Sequence, residues 1–466
     1  MADQHGSFRD RFHAHSPSGG LCTIPLITNS IPNALTSRSG RPSPARYILS
    51  SRLLSGAFVS LVVSGIGISV TAPQITLFLV QQLHMSATVA GLYFLTNLAA
   101  PVAGYALGSL SDRLGSRLLV FRLSALAGFA GWTLMAVATQ TWMPFAINIV
   151  LLGAAGAGAA QLQAAVRDEL TVNPTPVDNQ VVALIRMAMA IGWIVGPVIG
   201  AVAGAVWGLR PLLLGTGLTM LLSILPTLGA GAGAPPPSGS PSLDRPPALS
   251  AAERGRLTPL FVFTGIYVLI MCGETVKLAY LPLYMDGPLR LAAGLRGAVI
   301  GFQPLVEVAL MPVAAKLADR FGIRPVLFAG AAMAVAAHCC YASADLFRAP
   351  VSALIAGQFL MAGVIATFGV LGITVAQRLE PSRVGMASSV FLSAFAVNAA
   401  VGGFVGSLGT SWLGVPHLFW ISAAIAATGA VGLVVFDRYR PLSREKEEAT
   451  ERPDGRARPR SGRGCG

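Results

Sequence analysis

The chain has 466 residues, of which 53% are hydrophobic and only 11% are charged, and its net charge is +13 at pH 7. Soluble domains carry about 25% charged residues, so this deficit excludes an ordinary soluble protein and indicates that lipid is the main solvent. The positive charge does not indicate nucleic-acid binding, because the basic residues lie in loops and tails between apolar runs, where they suit the cytoplasmic leaflet of a membrane.

Twelve apolar runs organise the chain, and each approaches the roughly 20 residues that cross a bilayer as a helix. We predict a disordered cytoplasmic tail over 1–50, a six-helix bundle over 51–231, a cytoplasmic linker over 232–257, a second six-helix bundle over 258–437 and a disordered tail over 438–466. The sequence therefore predicts an all-α membrane protein with twelve transmembrane helices in two six-helix pseudo-repeats. The predicted spans lie near 52–80, 86–109, 117–139, 142–167, 179–206, 208–231, 258–285, 293–318, 325–345, 349–376, 385–409 and 413–437.

A charged hairpin between the second and third spans is repeated between the eighth and ninth spans. The first copy, over 108–117, reads GSLSDRLGSR, and the second, over 315–324, reads AKLADRFGIR. Asp112 and Asp319 are 207 positions apart. A repeat of this kind within apolar sequence predicts two copies of one membrane unit. Basic residues in both hairpins place them, the linker and both termini in the cytoplasm.

Each hairpin residue has an expected structural task. Gly115 and Gly322 are expected at positive φ, which a tight chain reversal needs. Gly108 is expected to permit close helix packing. Asp112 and Asp319 are expected to accept hydrogen bonds from the free N–H groups of a helix start.

The pattern G-x-x-x-D-R-x-G-x-R resembles the loop motif of the major facilitator superfamily. The resemblance implies two helical halves around a central site, with the hairpin as a conformational latch that holds one of two alternating conformations. An ordinary positive-inside turn is the alternative. The latch residues are Gly108, Asp112, Arg113, Gly115, Arg117, Asp319, Arg320, Gly322 and Arg324.

The fourth span departs from one expectation that this resemblance raises. Proton-driven exporters of the superfamily often carry an arginine there, before a glycine run, whereas this chain has Asn148–Leu152. At the end of the same span, Asp168 or Glu169 is expected to pair with Arg186 of the fifth span.

Glycines line one face of the fifth span. Gly192, Gly196 and Gly200 form a smooth strip, and Pro197 permits a bend. The run resembles the G-x-x-x-G-P-x-x-G motif of facilitator-family exporters, and close packing without directional meaning is the alternative. Gly403 lies 207 positions after Gly196, so this packing device is expected again in the eleventh span.

Ionisable groups within spans are costly and are usually functional. Glu274 and Lys277 in the seventh span share a face, so they either neutralise each other or contact substrate and protons. Gln303 and Glu307 share a face of the eighth span. Glu307 has no cation on its own helix and is the foremost candidate for proton coupling, followed by Glu274. A carboxyl group that is neutralised by burial and only bonds to neighbouring helices is the alternative.

Uncharged polar residues in both halves are further candidates for substrate binding. Asn and Gln offer donors and acceptors to hydroxyl groups, and a Trp ring offers a flat apolar face to a sugar. Taken singly, a residue of this kind more often holds helices together than contacts a ligand. These candidates are Gln74, Asn97, Trp193, Gln358 and Asn398. His338 is expected to be a packing residue.

Several stretches resemble the bacterial sugar efflux transporters, and the resemblance extends over most of residues 55–437. It implies export of small saccharides or glycosides against proton entry. The stretches are Ala72-Pro73 with Leu77–Leu79, Gly91–Tyr93 leading to Asn97, Arg186 with Trp193–Pro197, Leu281–Tyr284, and Glu307 ahead of the second hairpin.

We therefore predict a secondary active transporter, a monomer in the bacterial inner membrane, whose partners are a sugar or glycoside, protons and lipid. We predict no enzymatic activity, cofactor, metal or nucleic-acid partner, because no nucleophile–base set, metal-ligand cluster or phosphate loop is present. The alternatives are an exporter of amphiphilic drugs, whose site would be wider and more apolar, and a non-transporting membrane sensor with the same fold.

Overall fold

The computed structural model describes residues 43–230, 251–346, 349–415 and 417–442. Over these ranges every regular element is helical, and twelve helices are long and apolar enough to cross a membrane. The predicted fold class is therefore confirmed. The helices, numbered α1 to α12, are Arg52–Gln81, Ala87–Leu114, Arg117–Val137, Met143–Val172, Gln180–Trp207, Leu209–Thr227, Leu257–Asp286, Ala293–Phe321, Ile323–Ala342, Pro350–Leu379, Met386–Trp412 and Leu418–Tyr439.

The boundaries of the predicted tails and linker differ in part from the helices observed. A short helix over Pro44–Ser50 lies inside the predicted N-terminal tail, so the prediction of disorder is wrong for these residues. Proline suits the first helical turn, and Ile48 is buried in the apolar cluster that also contains residues of α1 and α5. The helix that contains α7 begins at Ala251, within the predicted linker. The rest of these segments, over 1–42, 231–250 and 443–466, lies outside the described residues.

Helices α1, α2 and α4 are each interrupted by irregular turns. Helix α1 breaks between Thr71 and Ile75, next to a proline that has no N–H group. Helix α2 contains a 3₁₀ segment over Tyr93–Leu98, and α4 contains a π-helical turn over Asn148–Leu152. Such turns shift backbone groups out of the regular hydrogen-bond ladder and are frequent at functional sites.

Both hairpins reverse at a glycine, as expected. The φ angles are 61° at Gly115 and 89° at Gly322, in the region that favours glycine. The expected capping by Asp112 is wrong, because Ser116 accepts the hydrogen bond from the Leu119 amide at 3.3 Å and satisfies the start of α3. At Gly108 a methyl group would meet only the Gln161 amide nitrogen, at 3.9 Å, so the expected close packing is also wrong in this conformation.

Close helix packing at glycine holds the N-terminal half together. A methyl group on Gly192 or Gly200 would overlap the backbone of α1, and the Ser69 hydroxyl donates a 2.7 Å hydrogen bond to the Gly192 carbonyl. The same close packing recurs in the C-terminal half, where it involves Gly402 of α11 and not Gly403. A methyl group on Gly402 would overlap the Cys272 carbonyl of α7, whereas Gly403 lies against α2 of the other half.

The two halves contact each other through equivalent pairs of helices, α2 with α11 and α5 with α8. In the first pair, Gly403 packs against Phe94. In the second pair, a methyl group on Gly297 would lie 2.7 Å from the Pro197 carbonyl oxygen and 2.6 Å from the Val198 Cα. Exchange of the two halves converts one pair into the other, as the internal repeat requires.

These contacts between the halves lie at one end of the bundle. Gln81, at the end of α1, donates a 2.8 Å hydrogen bond to Asp286, at the end of α7, so the two halves cross the bundle in the same direction. Tyr280 donates to the Ala87 carbonyl at 3.1 Å nearby. Asp112 and Asp319 therefore both lie at the opposite end.

The apolar core divides in the same way. The larger cluster joins the C-terminal half to residues of the N-terminal half at the end that contains Gln81 and Asp286, such as Phe78 and Leu213. A second cluster, which contains Leu54, Leu162 and Ile185, draws only on the N-terminal half and lies at the hairpin end. Among the described residues, the apolar core that the halves share therefore lies at one end of the bundle.

We expect Gly200→Ala to lower the free energy of unfolding by about 1–3 kcal/mol, because the added methyl group would overlap the Val70 backbone, which cannot rotate away. Gly215→Ala is the matched control, because nothing lies within 4 Å of the added methyl group there and alanine favours a helix. Thermal unfolding of both variants in detergent provides the measurement. Equal melting temperatures would contradict the close approach of α1 and α5.

Candidate functional site

An ion pair and an amide meet in the interior of the C-terminal half. The Lys277 ammonium donates to the two carboxylate oxygens of Glu274 at 2.7 and 2.9 Å and also to the Gln303 amide oxygen on α8. The Gln303 amide nitrogen donates to the same carboxylate at 3.3 Å. The Lys277 side chain is 3% exposed and that of Glu274 is 23% exposed. We call these three residues the α7–α8 triad.

Of the two alternatives left open for Glu274 and Lys277, the structure shows the pairing. Glu274 and Lys277 do neutralise each other, and Gln303 joins them from the next helix. A charge pair away from bulk water is stable only when its remaining hydrogen-bonding capacity is used, which Gln303 supplies. Because the Glu274 carboxylate is still partly exposed, it can also accept a hydrogen bond from a solute.

Glu307 lies one turn beyond Gln303 on the same face of α8. It is half-buried, and its carboxylate has no ion-pair or hydrogen-bond partner among the described residues. A carboxylate of this kind is free to bind a proton or a solute, whereas the carboxylate of Glu274 is held by Lys277. The structure thus places both predicted proton-coupling candidates in one region and gives them different surroundings.

Residues of α9 and α10 pack against α7 and α8 near the triad. The His338 ring packs against Gly273, next to Glu274, and both of its nitrogens lack partners among the described residues. Gln358 is fully buried, where its amide accepts from the Tyr341 hydroxyl at 2.8 Å and donates to the Val299 carbonyl at 2.9 Å. In this conformation Gln358 therefore ties helices together, and its amide is not open to a solute.

A second polar cluster lies in the N-terminal half, where the irregular turns of α2 and α4 face each other. The Tyr93 hydroxyl donates to the Asn148 amide oxygen at 3.1 Å. The Asn148 amide nitrogen donates to the Thr96 hydroxyl oxygen at 2.6 Å and to the Asn97 amide oxygen at 3.3 Å. We call these four residues the Asn148 network. Thr96 and Gln303 are 207 positions apart, so the network and the triad share one equivalent position in the two halves.

The Asn148 network extends beyond the residues proposed from the sequence, which included only Asn97. The stretch Asn148–Leu152 lacks the arginine that the resemblance led us to expect in the fourth span, and this departure was the only sign in the sequence of the network. The Asn148 partners Tyr93 and Thr96 gave no signal, because a Tyr and a Thr in an apolar span are ordinary packing residues.

The other predicted contact residues are spread through the bundle. Gln74 is buried at the break in α1, and Trp193 is half-buried on α5. Asn398 is buried in α11, and its amide oxygen has no partner among the described residues. The structure gives none of these three a hydrogen bond to the triad or to the Asn148 network.

The two hairpins use their arginines differently. Arg117 pairs with Asp112 at 2.5 Å and with Asp168 at 3.2 Å. The expected pairing of Arg186 with Asp168 is therefore wrong, because Arg117 is the closer cation. Arg186 instead lines a cavity of about 880 Å³ at the hairpin end.

In the second hairpin, Arg324 pairs with the buried Asp437 of α12 at 2.7 Å. Asp319 is exposed and has no ion-pair partner among the described residues, so it does not cap a helix start as expected. The Arg320 guanidinium lies 5.1 Å from the centre of the Phe321 ring, and Arg113 is exposed. In the described part of the chain, no three His, Cys, Asp or Glu side chains are grouped as metal ligands.

Comparison with known sequences places these features in a family context. The profile of the family described as the Major Facilitator Superfamily matches residues 57–287 and 263–461. A relative from Deinococcus radiodurans, whose name ascribes sugar efflux to it, is 24% identical, over 83% of this chain and 98% of the relative. Sugar efflux transporter B of Salmonella typhimurium is 21% identical, over 79% of this chain and 92% of its own length. Sugar efflux transporter C of Escherichia coli is 21% identical, over 84% and 97%.

Solved structures with the same fold include two transporters of other solutes. The nucleoside transporter NupG superimposes with a TM-score of 0.64 at 15% identity, over 82% of this chain and 98% of that one. The peptide transporter POT in complex with sulfate gives a TM-score of 0.67 at 15% identity, over 86% and 100%. At these identities the similarity establishes the fold alone.

We expect Lys277→Met to lower the melting temperature by roughly 5 °C or more, because removal of one member of a buried ion pair leaves the other unpaired at a cost of about 3–5 kcal/mol. The double variant Glu274→Gln with Lys277→Met should recover most of this loss, since neither charge then remains. Thermal unfolding of the two single variants and the double variant provides a double-mutant cycle. Additive losses would show that the pair contributes nothing to stability.

Proposed function

This chain belongs to the major facilitator superfamily and is a multi-pass membrane transporter, not an enzyme, and we propose that it exports small sugars or glycosides in exchange for protons. The relatives named as sugar efflux transporters match most of the chain and support this substrate class. The α7–α8 triad and the Asn148 network offer the donors and acceptors that a hydroxyl-rich solute requires.

The observation that carries the proton part of the proposal is the setting of Glu307. Its carboxylate is half-buried and unpaired among the described residues, one turn from a triad whose own carboxylate is neutralised by Lys277. A group that can alternate between charged and neutral forms without the loss of an ion pair suits reversible proton binding. Glu274 then contacts the solute, and Glu307 takes up the proton.

The proposed mechanism is alternating access, in which the two halves rock around the central site. The conformation described here is joined at the end that contains Gln81 and Asp286 and is held there by direct contacts between the halves. We assign this end to the extracytoplasmic side and the hairpins to the cytoplasm, so that the solute enters from the hairpin end. The protein is then inward-facing, with both termini in the cytoplasm of a bacterial cell.

The hairpins are proposed to act as the conformational latch. Arg117 bridges Asp112 and Asp168 within the N-terminal half, and among the described residues no ion pair joins this hairpin to the other half. Closure of the hairpin end would bring these charges toward α11, so exchange of ion pairs can favour either conformation. Arg113, Gly115, Arg320 and Gly322 would keep the two hairpins in shape for this exchange.

We expect Glu307→Gln to abolish sugar transport driven by a pH gradient in proteoliposomes, because glutamine cannot bind and release a proton. Exchange of labelled for unlabelled sugar without a gradient should persist, because the triad is intact. Glu169→Gln is the matched control, since Glu169 lies at the end of α4 and bonds only to Asn173 in the described structure.

Unchanged gradient-driven flux in the Glu307→Gln variant would reject Glu307 as the proton site. Gradient-driven flux of lipophilic cations, but of no sugar, in the unsubstituted protein would instead reject the substrate class and favour an exporter of amphiphilic drugs.

A further inference from the structure

The Asn148 network has a fixed hydrogen-bond direction. The Thr96 hydroxyl donates to the Tyr93 carbonyl at 2.5 Å, so its oxygen is left as an acceptor toward Asn148. The nearby Asn148 amide group is therefore the NH₂ end, which donates to Thr96 and to the Asn97 amide oxygen. The Asn148 oxygen then faces Tyr93 and accepts from its hydroxyl. In this arrangement all four groups have suitable partners, and the Thr96 hydroxyl keeps its bond to the Tyr93 carbonyl.

The same argument fixes the orientation of Asn97. Its amide oxygen is bound by Asn148, so its NH₂ group is the end that remains available. This group has no hydrogen-bond partner among the described residues, and the side chain is half-buried. An amide rotated by 180° would place two NH₂ groups against each other and would lose the bond to Asn148.

Asn97 lies where the two halves begin to separate. Phe94, three residues earlier on α2, packs against Gly403 of α11 at the joined end. Asn97 is the next residue on that side of α2 toward the hairpin end, so it borders the space between the halves. The C-terminal half provides the partly exposed Glu274 carboxylate.

The two halves thus offer opposite hydrogen-bonding groups. The N-terminal half presents N–H donors, and the C-terminal half presents carboxylate acceptors. A sugar hydroxyl group both accepts and donates, so a polyol can use both sides at once, whereas a lipophilic cation would have no partner for the amide donors.

We propose that Asn148 is a positioning residue that holds the Asn97 amide with its NH₂ group toward the solute, so that the transporter reads an acceptor oxygen of a sugar from its N-terminal half. This inference rests on the proposed sugar export and adds to it the residue pair and the direction of recognition. The irregular turns of α2 and α4 serve this purpose, because they bring Asn148 and Asn97 within hydrogen-bonding distance.

The test is binding of glucose, its deoxy derivatives and its deoxyfluoro derivatives to the purified protein, measured by calorimetry. A deoxy sugar lacks both the donor and the acceptor, whereas fluorine keeps a weak acceptor. At the ring position that Asn97 reads, we expect the deoxy sugar to bind about tenfold more weakly than glucose and the fluoro sugar to lose less.

Two variants separate positioning from mere stability. Asn148→Asp leaves only acceptors at residue 148, so the Asn97 amide turns and presents its oxygen, and the deoxy and fluoro sugars should then lose binding equally. Asn148→Leu introduces no buried charge and leaves the Asn97 amide free to rotate. The difference in affinity between the fluoro sugar and the deoxy sugar should then become smaller. Gln161→Glu is the matched control, because it makes the same amide-to-acid change at another buried position of α4.

The outcomes distinguish the two proposals. The role of Asn148 would be overturned if the Asn148→Leu variant still bound the fluoro sugar more tightly than the deoxy sugar. It would also be overturned if the unsubstituted protein showed no such difference at any ring position. Either result would leave the proposal of sugar export intact. Failure of the unsubstituted protein to bind glucose at all would overturn both. Should Asn148→Asp fail to fold, Asn148→Leu decides the question.

Discussion

The structure depends on one requirement, which is that a charged side chain inside an apolar bundle must be neutralised and hydrogen-bonded by its neighbours. A lysine ammonium that is 3% exposed is tolerated only because a carboxylate and an amide surround it. This requirement holds α7 next to α8, because the Gln303 amide of α8 must lie within hydrogen-bonding distance of Lys277 on α7. It also separates the roles of two carboxylates on adjacent helices, because the ion pair occupies Glu274 and leaves Glu307 unpaired among the described residues.

Small residues set where the two halves touch and where they separate. At the joined end, glycine at 297 and 403 lets helices of opposite halves approach to backbone contact. The hydrogen bonds from Gln81 and Tyr280 close the same end. At the hairpin end, Gly108 has almost no neighbour, and the apolar core of the N-terminal half is separate. In the described part of the chain the closest contacts between the halves thus lie at one end, which is the arrangement that a rocking transporter needs in one of its two states.

The internal repeat is preserved in geometry more than in chemistry. Arg117 and Arg324 are 207 positions apart and both lie in the first turn of their helices, yet they bind different partners. Arg117 reaches Asp168 at the end of α4, whereas the position 207 residues after Asp168 is the buried Val375. Arg324 therefore turns to Asp437 on α12. The two hairpins are equivalent in place, but their ion pairs are not interchangeable.

The sequence by itself determined the properties that follow from solvent and from neighbours along one helix. The length of the apolar runs predicted the twelve helices, and the 207-residue repeat predicted the two halves. The spacing of Glu274 and Lys277 placed them on one face and allowed their pairing, which the structure shows. It did not determine which residues meet across helices. Three contacts each depend on the depth and rotation of two helices. They are the ion pair of Arg117 with Asp168, the hydrogen bond of Gln358 with Tyr341 and the hydrogen bond of Asn97 with Asn148. Those quantities are set by the packing of whole helix faces, which no local pattern encodes, so only the tertiary structure decided them.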